Sequence, residues 1–323
     1  MRRAMRQKLA LCGILLLTAC SAGDSDITGS RGVVLGLSQV VTTANWNAAN
    51  TESIRRAARE AGIEVRVEDA HRSQENQVEA LRAFVRQRVD VIALSPVVET
   101  GWETVLREIR TAGIPVILTD RTIEVSDDSL YVSLIGSDFI EEGRRAGRWL
   151  LENTRGLRDE VDIVEIQGTV GSAPANDRKQ GFAEIIATDP RYRIIRSQSG
   201  DFSRDGGKRV MENFVRSEGR RIRVLFAHSD SMALGAIEAI EAAGFKAGSD
   251  ILVISIEGGR EGLKAIVAGK LNVSVECTPL FGPQLVEAVK ALAAGRPIPR
   301  RIVTEETVFT SENAAQALAR RQY

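Results

Sequence analysis

The chain has 323 residues, 43% of them hydrophobic and 27% charged, which is enough for two domains with cores of their own and ordinary for a soluble globular protein. The formal charge is zero for the whole chain; without residues 1–19, which hold four basic and no acidic residues, it is about −4. With the basic residues scattered along the chain, that balance excludes nucleic acid as a partner.

At the N-terminus, Arg2, Arg3, Arg6 and Lys8 precede an apolar run at 9–17 that is too short to span a membrane as a mature helix. The pattern reads as an export signal. It ends in Leu17-Thr18-Ala19-Cys20, small residues ahead of a cysteine, which is similar to the lipobox of bacterial lipoproteins. That resemblance implies a signal peptide over 1–19, lipid on Cys20 and a flexible tether over 20–31. The cysteines are Cys12, Cys20 and Cys277, so Cys277 is the one thiol left to the folded chain and no internal disulfide is expected. No later stretch is long and apolar enough to cross a membrane.

From Val33 onward, short β-branched runs alternate with amphipathic helical stretches. The runs fall at 33–37, 65–67, 91–94, 116–118, 130–135, 163–166, 224–227 and 252–256. Between the first two, Ile54, Ala57, Ala58 and Ala61 share one helix face, and Gly62 stops that helix as Gly113 and Gly244 stop later ones. Pro96 and Pro115 sit at strand ends, where a missing ladder donor does no harm. The rhythm indicates βαβ units and parallel sheets covered on both faces. About ten strands are too many for one comfortable domain, so the chain is split near Ser137-Asp138. The expected fold class is α/β, with two doubly wound parallel-sheet domains. Ligands of such sheets bind beyond the carboxyl ends of the strands, so two facing sets of loops describe a cleft.

Several loop segments carry a resemblance. IPVILTDR at 114–121, Arg178 ahead of Gly181-Phe182, Asp201-Phe202 and LFAHSDSMALGA at 225–236 resemble the ribose-type periplasmic sugar-binding proteins of ABC importers. GLSQ at 36–39, SPVVETGW at 95–102, EIQGTVG at 165–171 and IRSQSGD at 195–201 resemble the galactofuranose-binding branch. The resemblance implies the type I periplasmic binding protein fold, two lobes joined by a three-strand hinge. It puts one lobe at 32–137 plus 279–304 and the other at 138–277 plus 305–323. Sugar-sensing repressors share the fold but carry a helix-turn-helix where this chain has a signal.

A sugar presents hydroxyls that donate and accept and a ring with apolar faces, so a site needs planar charged groups and aromatic plates. Asp120 and Arg121 end the run 116–118 with an acceptor pair and a guanidinium fork, and Arg178 is expected to bring a second fork from the other lobe. Trp46 and Phe202 are the candidate plates. Gln39 and Thr43 are expected to add hydrogen bonds. The resemblance adds four departures: Asn47 stands where the galactofuranose binders have arginine, Ser229 where the family has asparagine, Glu257 for aspartate, and Cys277 for a hinge glutamine. All four are counted as ligand-binding positions.

No GxSxG, HExxH or CxxC occurs and no metal-ligand spacing appears, so neither catalysis, cofactor nor metal is expected. His71 lies in a polar stretch and reads as solvated; His228 lies by the cleft without a Ser or Cys partner. The function expected is capture of a monosaccharide by a monomeric, lipid-anchored extracytoplasmic receptor and its delivery to an ABC importer permease. Two readings stay open beside it: a sensor presenting sugar to a membrane receptor, and a glycoside hydrolase using Asp120 and Glu257.

Overall fold

In the computed structural model the described residues are 32–41, 45–156 and 159–323. The expected signal, Cys20 and tether lie outside them, as does Thr43.

The first sheet begins with β1 (Val34–Gln39), buried at every position, and then α1 (Asn45–Glu60), which turns Ile54, Ala57 and Ala58 inward. It continues through β2 (Glu64–Asp69), α2 (Gln74–Arg86), β3 (Val91–Leu94), α3 (Glu103–Thr111), β4 (Val116–Thr119) and β5 (Ser133–Gly136). The second begins with α4 (Phe139–Asn153), β6 (Val161–Gln167), α5 (Ala173–Ile186), β7 (Tyr192–Ser199), α6 (Arg204–Glu218) and β8 (Ile222–Ala227). It closes with α7 (Asp230–Ala242), β9 (Leu252–Glu257), α8 (Arg260–Val267) and β10 (Val273–Glu276). The chain then returns for α9 (Gly282–Ala293) and β11 (Arg301–Val303), and crosses once more for β12 (Val308–Thr310) and α10 (Ala314–Arg320).

Among the described residues both sheets have six strands. Their orders are β2-β1-β3-β4-β5-β11 and β7-β6-β8-β9-β10-β12. All pairings are parallel except β10 with β12, where Val273 faces Thr310. In each sheet the order reverses beside the first strand, which opens a crevice at the carboxyl ends. The runs at 65–67 and 163–166 prove to be the centres of longer strands. The strands β10, β11 and β12 escaped the sequence pattern because their residues alternate with polar ones or are too few to make a run.

The connection between the sheets is made three times, after β5, after β10 and between β11 and β12. The three segments are tied together by polar side chains. Ser137 Oγ lies 3.4 Å from both Cys277 Sγ and Thr304 Oγ1 and donates to Glu306, which also accepts from Thr278 N at 3.2 Å and Thr304 Oγ1 at 3.1 Å.

Helices α4 and α5 cross at closest approach. A Cβ on Gly143 would stand 2.2 Å from Arg178 O, and one on Gly181 would stand 2.0 Å from Ile140 O. Backbone meets backbone there, and the contact fixes where Arg178 starts. Gly143→Ala or Gly181→Ala is therefore expected to cost about 1–3 kcal/mol by overpacking, lowering Tm by roughly 2–4 °C per kcal/mol. Thermal unfolding checks this; a parental Tm in both variants would mean the helices pack otherwise.

Candidate ligand-binding site

Strand β4 ends in a γ-turn. Arg121 N donates to Thr119 O at 2.7 Å around Asp120, whose φ is 64°, the rarer and more strained hand of that turn. The turn throws Asp120 and Arg121 into the crevice, each 8% exposed. Arg121 Nε lies 3.5 Å from Asp120 Oδ2, and Nη1 donates to Val97 O at 3.2 Å. Burial pushes the Asp120 carboxyl up against the pull of Arg121 and Arg178, and pushes the Arg121 guanidinium down.

Arg178 comes from α5 of the second sheet and is 3% exposed. Its Nε donates to Glu142 Oε2 at 2.7 Å and its Nη1 to His228 O at 2.8 Å, and its guanidinium carbon sits 5.0 Å from the Phe139 ring centroid. The fork expected for ligand is thus partly spent on the protein. Phe202 follows β7, with Asp201 and Phe202 at φ 53° and 51°. A Cβ on Gly168 would stand 1.9 Å from Phe202 Cζ, so the glycine of the EIQGTVG segment makes room for the ring. Trp46 lies in the first turn of α1 rather than in a loop; its indole N–H donates to Cys277 O at 2.7 Å, bracing the helix against the second crossing.

These groups converge. Trp46, Asn47, Asp120, Arg121, Arg178, Phe202, Glu257 and Cys277 line one cavity, joined by Arg72, Asn45, Ser231 and Phe139. Its volume of about 60 Å³ is several times the roughly 10–15 Å³ one buried water takes by the same measure. Arg121 Nε, in the lining, is buried without a hydrogen-bond partner, an arrangement that invites a polar guest. Four non-glycine residues with positive φ border it: Arg72, Asp120, Phe202 and Glu257, the last at 122°. Such strain collects where a ligand must be met.

Two sequence candidates stand elsewhere. Gln39 is fully buried behind the cavity, its amide donating to Asn50 Oδ1 at 2.8 Å, while Asn50 in turn holds Pro279 O. Ser229 is the N-cap of α7, its Oγ accepting from Met232 N at 3.2 Å, and Ser231 reaches the cavity instead. His71 is largely exposed, whereas His228 is fully buried beneath the site with its Nε2 3.2 Å from Glu165 Oε1. Arg72 was missed because HRSQEN reads as a solvated stretch, although it follows β2 at the carboxyl end where a lining residue belongs. Glu142 gave no signal at all: in FIEEGRRAGRWLLEN it looks like a surface acid.

Glu142, Cys277 and Glu306 bring ligand-type atoms within 4.8 Å of one another. The donors of the hinge already satisfy Glu306, and the Arg178 guanidinium supplies the positive charge beside Glu142, so the set serves the hinge. Burial pushes the Cys277 thiol well up.

The comparisons agree with this geometry. The model of the periplasmic binding protein domain matches residues 35–297. The chain belongs to the periplasmic binding protein family. It is 42% identical over 312 residues to the galactofuranose-binding protein YtfQ of Escherichia coli, covering 96% of this chain and 98% of that one. A Mycobacterium smegmatis structure in complex with β-D-fucofuranose is 50% identical, with TM-score 0.88 over 90% of this chain and 96% of that one. The arabinose-transporter binding protein of Shewanella sp. ANA-3, bound to α- and β-L-arabinofuranose, is 42% identical with TM-score 0.86, over 90% and 96% of the two chains. These relatives are named for binding and transport, not for a reaction, and the hydrolase reading falls with them.

Glu257 supplies a pH test. Burial, then the neighbouring Asp230, pushes its carboxyl up to about 8, against the pull of Arg178. Between its ordinary value of 4.5 and about 8 the folded chain holds a proton that the unfolded chain has released, so this group's contribution is fully present below 4.5 and is lost as pH rises to about 8. The stability of the parent relative to Glu257→Gln is therefore expected to fall from pH 5 to pH 8 in the ligand-free protein. Urea unfolding at three pH values measures it; parallel profiles would show that Glu257 is not held neutral.

Proposed function

We propose that this protein captures a furanose monosaccharide between its two sheets and delivers it to an ABC importer, tethered outside the cytoplasm by lipid on Cys20. The observation that carries the reading is the meeting of Asp120-Arg121 from one sheet with Arg178, Phe202 and Glu257 from the other around one cavity. Carboxylate and guanidinium serve the hydroxyls, and Phe202 and Trp46 serve the ring faces. Closure follows from this division: a sugar held by one lobe's groups gains the other's only when the lobes meet, and its differential affinity draws the equilibrium toward the closed form.

The furanose is supported by the solved relatives, whose sugars have a chemistry in common. Galactofuranose, fucofuranose and arabinofuranose share the hydroxyl pattern of the ring and differ in the exocyclic tail. The common ring is matched to Asp120, Arg121 and Arg178. The tail is where Asn47 and Glu257 act, since Ser229 is spent on capping α7. Asn47 offers no charged fork, and this favours a tail with fewer hydroxyls.

Asp120→Ala and Arg178→Ala are each expected to abolish binding, costing roughly 2–5 kcal/mol by leaving buried partners unpaired. Calorimetric titration with D-fucose, D-galactose and L-arabinose, corrected for the furanose fraction of each, tests the sugar. Fucose is expected to bind more tightly than galactose. Submicromolar galactofuranose affinity with no better sugar would restore galactofuranose as the ligand, and binding by either alanine variant at parental strength would remove the site.

For the anchor, Cys20→Ala is expected to leave the precursor uncleaved by lipoprotein signal peptidase. An acylated, membrane-bound mature form of that variant would refute lipidation at Cys20.

A further inference from the structure

The mouth of the cleft is spanned by protein–protein contacts at two points. At one, the loop after β2 holds His71 and Arg72 at φ 49° and 63°, and Arg72 N donates to Val40 O at 2.8 Å. Facing it, Asp201 is held by Ser199 Oγ on its N–H at 3.2 Å and by Thr169 Oγ1 on its carboxylate at 2.5 Å. Arg72 Nη1 reaches across to Asp201 O at 3.1 Å and lies 3.5 Å from Asp201 Oδ2. At the other, Glu99 N donates to Gly171 O at 3.0 Å, and Asn176 Nδ2 donates to the Glu99 carboxylate.

These contacts join residues of the first sheet's loops to residues of the second's, and the Glu99 point involves none of the cavity's lining residues. Both loops of the first point are strained and pinned by hydrogen bonds of their own, so little side-chain or backbone freedom remains to be lost when they meet. Glu99 and Asn176 lie off the cavity lining, while Arg72 borders it with Nη1 turned to Asp201.

We propose that Arg72 with Asp201, and Glu99 with Gly171 and Asn176, form a two-point latch that sets how long the cleft stays shut, Arg72 acting as a positioning residue rather than a reader of the sugar. This rests on the closing cleft of the proposed function but not on the identity of its ligand. Arg72 and Asp201 are 37% and 58% exposed, so the pair is worth what partly solvated ion pairs are worth. A latch of that strength tunes release and leaves capture to the sugar's own contacts.

The test uses Arg72→Ala, Asn176→Ala and the double variant, in the mature chain with dyes on cysteines introduced into the two lobes. Each single variant is expected to speed sugar release about two- to five-fold; for Asn176→Ala, which lies off the cavity lining, association is expected to be unchanged and the ratio the same for every sugar bound. The two are expected to multiply, because the points are separate. Glu99→Ala and Asn176→Ala are expected not to multiply, because they share one contact. Added salt should speed release in the parent more than in Arg72→Ala. The dye distance gives a second readout that needs no sugar to be known: the closed population of the ligand-free parent should shrink in the double variant. Release rates equal to the parent's, a closed population equal to the parent's, a parent that never closes, or an Asn176→Ala effect differing from sugar to sugar each overturns the latch. A parent that closes and loses closure in the double variant, yet binds none of the three sugars, leaves the latch standing and defeats the sugar reading instead.

Discussion

Everything at the cleft depends on keeping the Arg178 guanidinium buried in its wall. A charge 3% exposed needs partners close at hand, and Glu142 and the carbonyl of His228 supply them at 2.7 and 2.8 Å. Removing Glu142 would strand that charge. The partnership in turn requires α4 and α5 to touch, which Gly143 and Gly181 permit. A packing feature of two helices thus decides where the second sheet places its main polar group. The first sheet reaches the same end by a different route, a strained turn at Asp120.

Burial sets the chemical character of the cavity. It pushes Asp120 and Glu257 up, Glu257 to about 8, so burial opposes the charge of two lining carboxyl groups that sit with the Arg121 and Arg178 guanidinium groups. A carboxyl that keeps its proton, as Glu257 does below about pH 8, can donate as well as accept, which suits a guest whose every hydroxyl does both. A bound hydroxyl replaces the water that each group loses when the lobes close.

How much of this was legible in the sequence follows from how local each signal is. The βα rhythm and the strand ends at Asp120-Arg121 were readable because they rest on neighbours a few residues away. Arg178, Phe202 and Glu257 were found through the resemblance, with no local pattern to mark them. Gln39 was expected to bind from the first loop and Ser229 because the resemblance puts a ligand group there; their side chains are turned to Asn50 and to the backbone of α7, which sequence spacing does not reveal. Glu142 was invisible, since a carboxylate on an amphipathic helix reads as solvent-facing until the helix beyond it is known. The antiparallel β12 was hidden by its length of three residues.

The triple crossing bears on the order in which the chain can fold. Helix α9 puts Leu285, Val286 and Val289 into the same core as Leu35, Leu37 and Ile54, and β11 completes the edge beside β5. Those pieces are synthesised after nearly all of the second sheet. A ribosome or export channel that releases the chain from its N-terminus therefore delivers the first lobe incomplete, with the apolar face of α1 uncovered, until about residue 289 has emerged. Contacts so distant in sequence are slow to form. A chain threaded through a membrane before folding gains from that delay, because no stable lobe assembles early enough to block its passage.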